Sequence, residues 1–358
     1  MRSGCRYGSH RVVEPKGVLP QPAWKLDNTP QVCDNEILVD VETLNIDAAS
    51  FTQLEGQAEE ELRAAGAEPS QEAVCRRIGE LVLKIVEERG KMHNPVTGSG
   101  GVLRGKVLQV GPAIEAKVGV QPGDKISTLV SLSLTPLKLY SVKAVHREKD
   151  QIDVEGRAII FESGIFAKLP DDMPESLALA VLDVAGAPAQ TARLVKPGDL
   201  VFVIGAGGKS GLLCLYEAKK RAGVTGTVVG MAHSEASMER ARALGCADAL
   251  FAGDATDALG TMRKFLEVTG GKKADVVINC VNIPRTEMAS ILCARDGGTI
   301  YFFSMATSFT AAALGAEGVG ADVSMIIGNG YARGHAEIAL HVLRECPKLR
   351  QMFEELFA

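Results

Sequence analysis

Leu200-Val201-Phe202-Val203-Ile204 runs straight into Gly205-Ala206-Gly207-Gly208-Lys209-Ser210-Gly211, and Leu212 to Ala222 follows. Five consecutive apolar residues suit a strand buried on both faces of a parallel sheet. A glycine-rich turn between such a strand and a helix lets a diphosphate approach the backbone, and the helix N-terminus adds partial positive charge. Gly205, Gly208 and Gly211 are spaced three apart, a variant of the dinucleotide fingerprint, with Gly207 as a fourth glycine. The expected second strand, Thr227 to Met231, completes a βαβ unit and gives the variant its weight. Gly208-Lys209-Ser210 also resembles the end of a P-loop, but that motif needs glycine at 203, where Val203 stands. Gly205, Gly207, Gly208, Lys209, Ser210 and Gly211 are therefore expected to hold a pyrophosphate.

Outward from this turn, the pattern is regular. Helix Glu235 to Leu244, a short strand at 249–251, helix Thr256 to Thr269, strand Asp275 to Asn279, helix Glu287 to Cys293 and strand Gly298 to Phe303 follow in order. Such alternation predicts a doubly wound parallel sheet, a Rossmann domain over residues 166–330. A helix from Pro174 to Leu194, interrupted near Gly186-Ala187-Pro188, precedes it. Residues 331–358 are expected to form a helical segment packing back on the N-terminal half.

That N-terminal half, residues 1–165, reads as mainly β. Glu36 to Glu42 alternates with period two, and Val102 to Val110 does likewise around Gly105. Residues 55–92 interrupt it as a helical insertion, with an amphipathic helix starting at Ser70 as N-cap. The fold class is α/β, with a mainly β domain first and the Rossmann domain second.

The chain has 358 residues, 46% hydrophobic and 23% charged, with net charge -5. This suits two globular domains. No basic block is present, which argues against nucleic acid. No apolar run approaches the ~20 residues that span a bilayer. Eight cysteines form no CxxC pair, which argues for free thiols in a cytoplasmic protein.

A dinucleotide domain usually ends its second strand in a carboxylate that holds the ribose 2′-hydroxyl. Here the stretch is Gly230-Met231-Ala232-His233-Ser234. Without an acid there, NADP becomes the preferred cofactor and NAD the alternative, with His233, Ser234 or Arg240 near the 2′-phosphate.

The order of features resembles the medium-chain dehydrogenase/reductase superfamily. The resemblance runs through Val110-Gly111, Gln121-Pro122-Gly123-Asp124, Lys196-Pro197-Gly198-Asp199, the glycine turn, Leu244-Gly245-Cys246-Ala247 and Ala274-Asp275-Val276-Val277. It implies a GroES-like catalytic domain, a Rossmann domain and an active site in the cleft between them. Association as a homodimer or homotetramer is also implied. Zinc-dependent members place a cysteine where Asp47 stands, and a His-Glu pair where Gly101 and Val102 stand. Zinc needs about four N, S or O ligands, so the resemblance points to a zinc-independent branch with no metal.

A narrower resemblance is to the L-erythro-3,5-diaminohexanoate dehydrogenases. It rests on residues 8–23, on Asn45-Ile46-Asp47-Ala48-Ala49-Ser50-Phe51 and on Asn94-Pro95-Val96-Thr97-Gly98-Ser99-Gly100-Gly101. It implies NAD(P)-dependent oxidative deamination of a small diamino acid in lysine fermentation, giving 5-amino-3-oxohexanoate and ammonia. Such chemistry needs a base and carboxylates for ammonium, with a cation for the substrate carboxylate. Asp47, in a zinc ligand's place, is the first candidate, and Asp183, near the place of another ligand, is the second. Glu162 is a further ammonium binder, His10 a proton carrier, and Arg11 or Arg104 a carboxylate anchor. Each also has a purely structural reading. His93 and His146 have no partner motif and read as structural. A quinone or enoyl reductase of the same fold and a non-catalytic NADP sensor are the alternatives.

Overall fold

A computed structural model describes residues 2–328 and 330–358. The chain divides into two compact units, Met1–Asp171 and Asp172–Ala358.

The first unit begins with β1 (Val12–Glu14) and β2 (Lys25–Leu26), a small antiparallel pair. Then come β3 (Glu36–Asn45), α1 (Ala48–Ala64), α2 (Gln71–Arg89), β4 (Val102–Val110) and α3 (Glu115–Val118). β5 (Lys125–Thr128), β6 (Leu137–His146), β7 (Gln151–Phe161) and β8 (Phe166–Lys168) complete it. Six of these strands form one antiparallel sheet in the order β6-β7-β3-β4-β5-β8. β3 runs through its centre, and its buried Ile37, Val39, Val41 and Leu44 join Leu103, Val107, Ile126 and Ile152 in the core.

The insertion is two helices, not the one amphipathic helix that the sequence suggests. α2 starts where Ser70 accepts a hydrogen bond from Ala73 N–H, and it ends at Gly90, which has φ 67°. α1 precedes it, capped by Asp47, and buries Phe51, Leu54 and Ala58 on the same core. β8 also lies beyond residue 165: Ile126 to Thr128 pairs with Phe166 to Lys168, so the sheet carries the unit on to Asp171.

The second unit contains α4 (Glu175–Leu182), α5 (Gly186–Leu194), β9 (Leu200–Ile204), α6 (Lys209–Ala222), β10 (Thr227–Ala232) and α7 (Glu235–Leu244). β11 (Ala249–Ala252), α8 (Ala258–Val268), β12 (Ala274–Asn279), α9 (Glu287–Cys293) and β13 (Ala294–Phe302) follow. Last come α10 (Phe309–Gly318), β14 (Val323–Ile327), α11 (His335–Glu345) and α12 (Pro347–Leu356). The six strands are all parallel, in the order β11-β10-β9-β12-β13-β14. Val201 to Ile204 are fully buried, as a central strand covered on both faces requires.

The C-terminal segment corrects its expectation. α11 packs on α5, α4 and α6, and α12 packs on α11, α4 and α6, so residues 331–358 group with the second unit. The cause is the apolar face Ala336, Ala339, Leu340, Val342 and Leu343, all buried, with Leu349 and Phe353 of α12 beside it. Arg344 adds a two-bond pair to Asp172 at 2.7 and 2.9 Å.

Candidate functional site

In the second unit, strand order reverses between β9 and β12, and the carboxyl ends of these two strands frame the place where such sheets bind ligands. Gly205 follows β9 there with φ 84°, a conformation that disfavours any side chain. Its N–H and that of Ala206 both donate to Met231 O at 2.9 Å, so β10 fixes the turn. A Cβ on Gly207 would sit 1.9 Å from Ser237 O, and one on Gly211 would sit 2.1 Å from Gly205 O. Glycine therefore packs the turn against α7 and α6 against the turn. Gly208 differs: an added Cβ would find nothing nearer than Gly205 O at 3.5 Å. Gly208 precedes the first residue of α6 and leaves open the approach to that helix's N-terminus. This cradle fits a dinucleotide pyrophosphate.

The other expected cofactor residues divide. Ser210 lies in the first turn of α6. Lys209 Nζ bonds to Asp183 Oδ2 at 3.0 Å and lies 5.8 Å from the centre of the Phe357 ring. Arg240 Nε donates to Gly207 O at 2.8 Å, tying α7 to the turn. Ser234 is the N-cap of α7, and its hydroxyl oxygen accepts Ser237 N–H. His233 lines a cavity of about 330 Å³ with Gly205, Met231, Gly253, Asp254, Ala255, Thr256, Val281 and Ile283.

In the first unit, Asp47 sits just past β3. Its Oδ1 accepts Ser50 N–H at 3.0 Å, while its Oδ2 is buried without a hydrogen-bond partner. An unpaired buried carboxylate oxygen costs free energy and awaits a donor. Asp150, which no motif marks in the sequence, is close by. Ile46 N–H donates to Asp150 O at 3.0 Å. Burial, then the charges of Glu55 and Asp47, push the Asp150 carboxyl above its ordinary value. The loop at 94–101 closes over the same helix start. Asn94 Nδ2 donates to Ser50 O at 3.4 Å and to Gln53 Oε1 at 2.7 Å, and Ser50 Oγ meets Thr97 Oγ1. His93, next to Asn94, has a buried Nδ1 without a partner; burial, Arg89 and Lys91 lower its pKa to about 4, which keeps it neutral. Lys91 Nζ donates to Pro20 O and Gln21 O at 2.8 and 2.9 Å, anchoring the N-terminal segment. Burial brings its pKa down to about 7.

The remaining candidates do not converge on Asp47. His10 and Arg11 meet Glu36 at the start of β3, whereas Asp47 lies beyond its end. Ten residues of strand separate the two places by about 30 Å at ~3.4 Å per residue. One small substrate cannot touch both. His10 Nδ1 accepts Cys5 N–H at 3.0 Å and its Nε2 bonds to Glu36 Oε1 at 2.8 Å, so both ring nitrogens are used. Arg11 is buried and holds both Glu36 oxygens at 2.6 Å, with its other donors on Asp27 O, Thr29 O and Gln31 O. Glu162 accepts from Asn35 Nδ2 at 3.3 Å in the same corner. His10, Arg11 and Glu162 thus share the corner that holds the N-terminal segment, and the structure does not bring them together with Asp47.

Arg104 lies opposite Thr43, at the Asp47 end of β3. It donates to Thr43 Oγ1 at 2.7 Å, Thr43 donates to Asp153 Oδ1 at 2.9 Å, and Asp153 Oδ2 meets His146 Nε2 at 2.8 Å. His146 thus has a structural partner. Asp183 lies in the second unit: it caps the end of α4, its side chain is 67% exposed, and it pairs with Lys209 of the glycine turn.

A zinc ion of the superfamily type does not fit these residues. Gly101 stands opposite the end of β3 with φ 82°, and a Cβ there would strike Asn45 O at 1.9 Å, so no ligand side chain can occupy the place. Among the described residues, His10, Cys33 and Glu36 are the one gathering of three metal-ligating side chains. The Arg11 guanidinium already occupies both Glu36 oxygens.

Comparison with known proteins accords with this layout. Residues 10–170 match the model of the L-erythro-3,5-diaminohexanoate dehydrogenase N-terminal domain, and residues 210–327 match that of a zinc-binding dehydrogenase domain. Solved structures with the same fold include a quinone oxidoreductase of Pseudomonas syringae pv. Tomato (18% identity, 92% of this chain and 83% of that one, TM-score 0.51). Another is a 2-haloacrylate reductase (17% identity, 88% and 80% coverage, TM-score 0.52). The L-erythro-3,5-diaminohexanoate dehydrogenase of Acetoanaerobium sticklandii is 54% identical over 354 residues, 99% of each chain. That of Fusobacterium nucleatum is 50% identical over 357 residues, 100% of each. With two curated relatives matched at this level along their whole length, the chain belongs to the L-erythro-3,5-diaminohexanoate dehydrogenase family.

Proposed function

We propose that this protein oxidatively deaminates 3,5-diaminohexanoate at its 3-amino group, giving 5-amino-3-oxohexanoate and ammonia, as a step of lysine degradation. The observation that carries the reading is the full-length identity of 50–54% with two proteins so named. The reaction acts on a CH–NH₂ donor and uses a nicotinamide dinucleotide, NAD or NADP, which takes up the hydride when bound. Gly205, Gly207, Gly208 and Gly211, with Ser210 at the start of α6, would hold its pyrophosphate. Lys209 is steered by Asp183, and Arg240 braces the turn from α7.

In the catalytic unit, the unpaired Oδ2 of Asp47 accepts a substrate N–H. Asp150 adds negative charge to the same neighbourhood, so an ammonium is favoured there and an uncharged quinone gains nothing. A cationic substrate group replaces, by charge, what a metal supplies in the zinc-dependent relatives. Arg104, held at the same end of β3, is the cation proposed for the substrate carboxylate. The 3-amino group must lose a proton before the C3–H bond breaks, and water then adds to the resulting imine carbon. We assign to Asp47 the task of holding the amine in place and taking that proton. Two copies of the chain associate through the β14 edge of the second unit.

The test is direct. Purified protein is mixed with 3,5-diaminohexanoate and either NAD or NADP, and absorbance of the reduced nicotinamide and free ammonia are followed together. Equal yields of the two are expected. Absence of both with either cofactor overturns the reading.

A further inference from the structure

The adenosine end of the second unit carries a carboxylate that β10 itself lacks. β10 and β11 stay paired to their carboxyl ends: Ala232 faces Ala252, and Gly253 N–H donates to Ala232 O at 3.0 Å. The residues that follow, His233 and Asp254, both line the cavity shared with Gly205 and Met231. A Cβ on Gly253 would lie 2.6 Å from Met231 Sδ, so glycine lets the chain pass close over β10 before Asp254.

Asp254 is exposed but fixed. Its Oδ1 accepts Thr256 N–H and Thr256 Oγ1–H, each at 2.8 Å. Those two bonds, followed by the charges of His233 and Arg285, hold its carboxyl below the ordinary value. The group is therefore an anion at neutral pH, with Oδ2 left to accept from a ligand. A fixed carboxylate accepts ribose hydroxyls and repels a phosphate at the same place. It also offsets His233 and Arg285, the two side chains that would otherwise draw a phosphate in.

We propose that Asp254, at the end of β11, is the residue that selects an unphosphorylated adenosine ribose, so that the protein prefers NAD over NADP. The assignment rests on reading the second unit as a nicotinamide dinucleotide site. It reverses the preference drawn from β10 alone, because the discriminating acid arrives from the neighbouring strand.

NADH and NADPH are titrated against the full chain by nicotinamide fluorescence, and kcat/KM is measured for NAD and NADP with 3,5-diaminohexanoate. Wild type should bind NADH at least tenfold more tightly than NADPH. Asp254→Asn keeps the acceptor for Thr256 and removes the charge, so it should shift that ratio at least tenfold towards NADPH, mainly by tightening NADPH. Asp254→Ser, which keeps a short polar side chain, should move the ratio the same way. A wild-type preference for NADPH, or a ratio unchanged within twofold in both variants, overturns the assignment while leaving the dinucleotide site standing. Failure of wild type to bind either nucleotide overturns both.

Discussion

In the proposed site Asp47 and Asp150 come together from two distant stretches, and they differ in how far the sequence shows them. Asp47 is visible because Asn45-Ile46-Asp47 follows a clear strand and stands where the superfamily resemblance places a metal ligand. Asp150 is not, since only the pairing of Asn45 with Gln151 brings its turn beside Ile46. The place of His10, Arg11 and Glu162 is hidden for the converse reason: only the course of β3 and its pairing with β7 show that they lie at its far end. Asp47→Asn should lower kcat/KM for the diamine about 10- to 100-fold, the ~1.5–3 kcal/mol of a hydrogen bond to a charged group. Dinucleotide affinity should stay unchanged, as steady-state kinetics and fluorescence titration together would show. Asp150 permits a test of opposite sign. Its folded-state pKa lies above the unfolded value, so the folded chain binds that proton more tightly. Stability therefore falls as pH rises from the ordinary carboxylate value through the raised one, and it stays lower above. Asp150→Asn removes this penalty, so its melting temperature at pH 7 should exceed that of wild type while KM for the diamine rises. A lower melting temperature would show that the carboxylate is structural.

Elements were legible where local pattern and burial agree. β9, the glycine turn and α6 satisfy both, because a strand buried on both faces is apolar throughout and the turn needs glycines at fixed places. α1 was not legible: its buried face is only Ser50, Phe51, Leu54 and Ala58, and Thr, Gln, Glu and Arg are mixed with small residues over most of the rest. β14 was missed because an edge strand is covered on fewer sides and only partly buried. The turn's glycines allow a prediction that separates packing from binding. Gly207→Ala places a methyl 1.9 Å from Ser237 O, which cannot yield without moving α7. It should therefore lower the melting temperature and weaken dinucleotide binding together. Gly208→Ala has room within the protein, and its φ of -84° suits alanine. It should leave the melting temperature nearly unchanged and still weaken binding at least tenfold, because the methyl stands over the N-terminus of α6. Calorimetric melts beside fluorescence titrations would check both, and undiminished binding by Gly208→Ala would move the pyrophosphate elsewhere.

At the scale of the whole molecule, the sheet of the second unit ends in β11 on one side and β14 on the other. β14 pairs only with β13 among the described residues, so its other edge has no strand beside it there, and Val323, Met325, Ile326 and Ile327 are only partly buried. Exposed sheet edges with apolar residues invite pairing with another chain unless charge, proline or a bulge blocks them. No lysine, arginine, glutamate or proline stands in β14, and α10 just before it exposes Phe309 and Leu314. Exposed apolar surface of this kind marks an interaction site. We propose a second copy as the occupant, since edge-to-edge pairing about a two-fold axis makes the same patch complementary to itself. The chain of 37.9 kDa should then run in light scattering at twice that mass at micromolar concentration. Ile326 lies opposite Tyr301, outside the apolar cluster that holds Val323, Met325 and Ile327, so a charge there disturbs the fold least. Ile326→Lys combined with Phe309→Glu should shift the protein to a monomer with an unchanged circular dichroism spectrum. Dinucleotide binding should persist in that monomer, because the glycine turn lies between β9 and α6, three strands from the edge. A variant that remains dimeric would place the contact on another face.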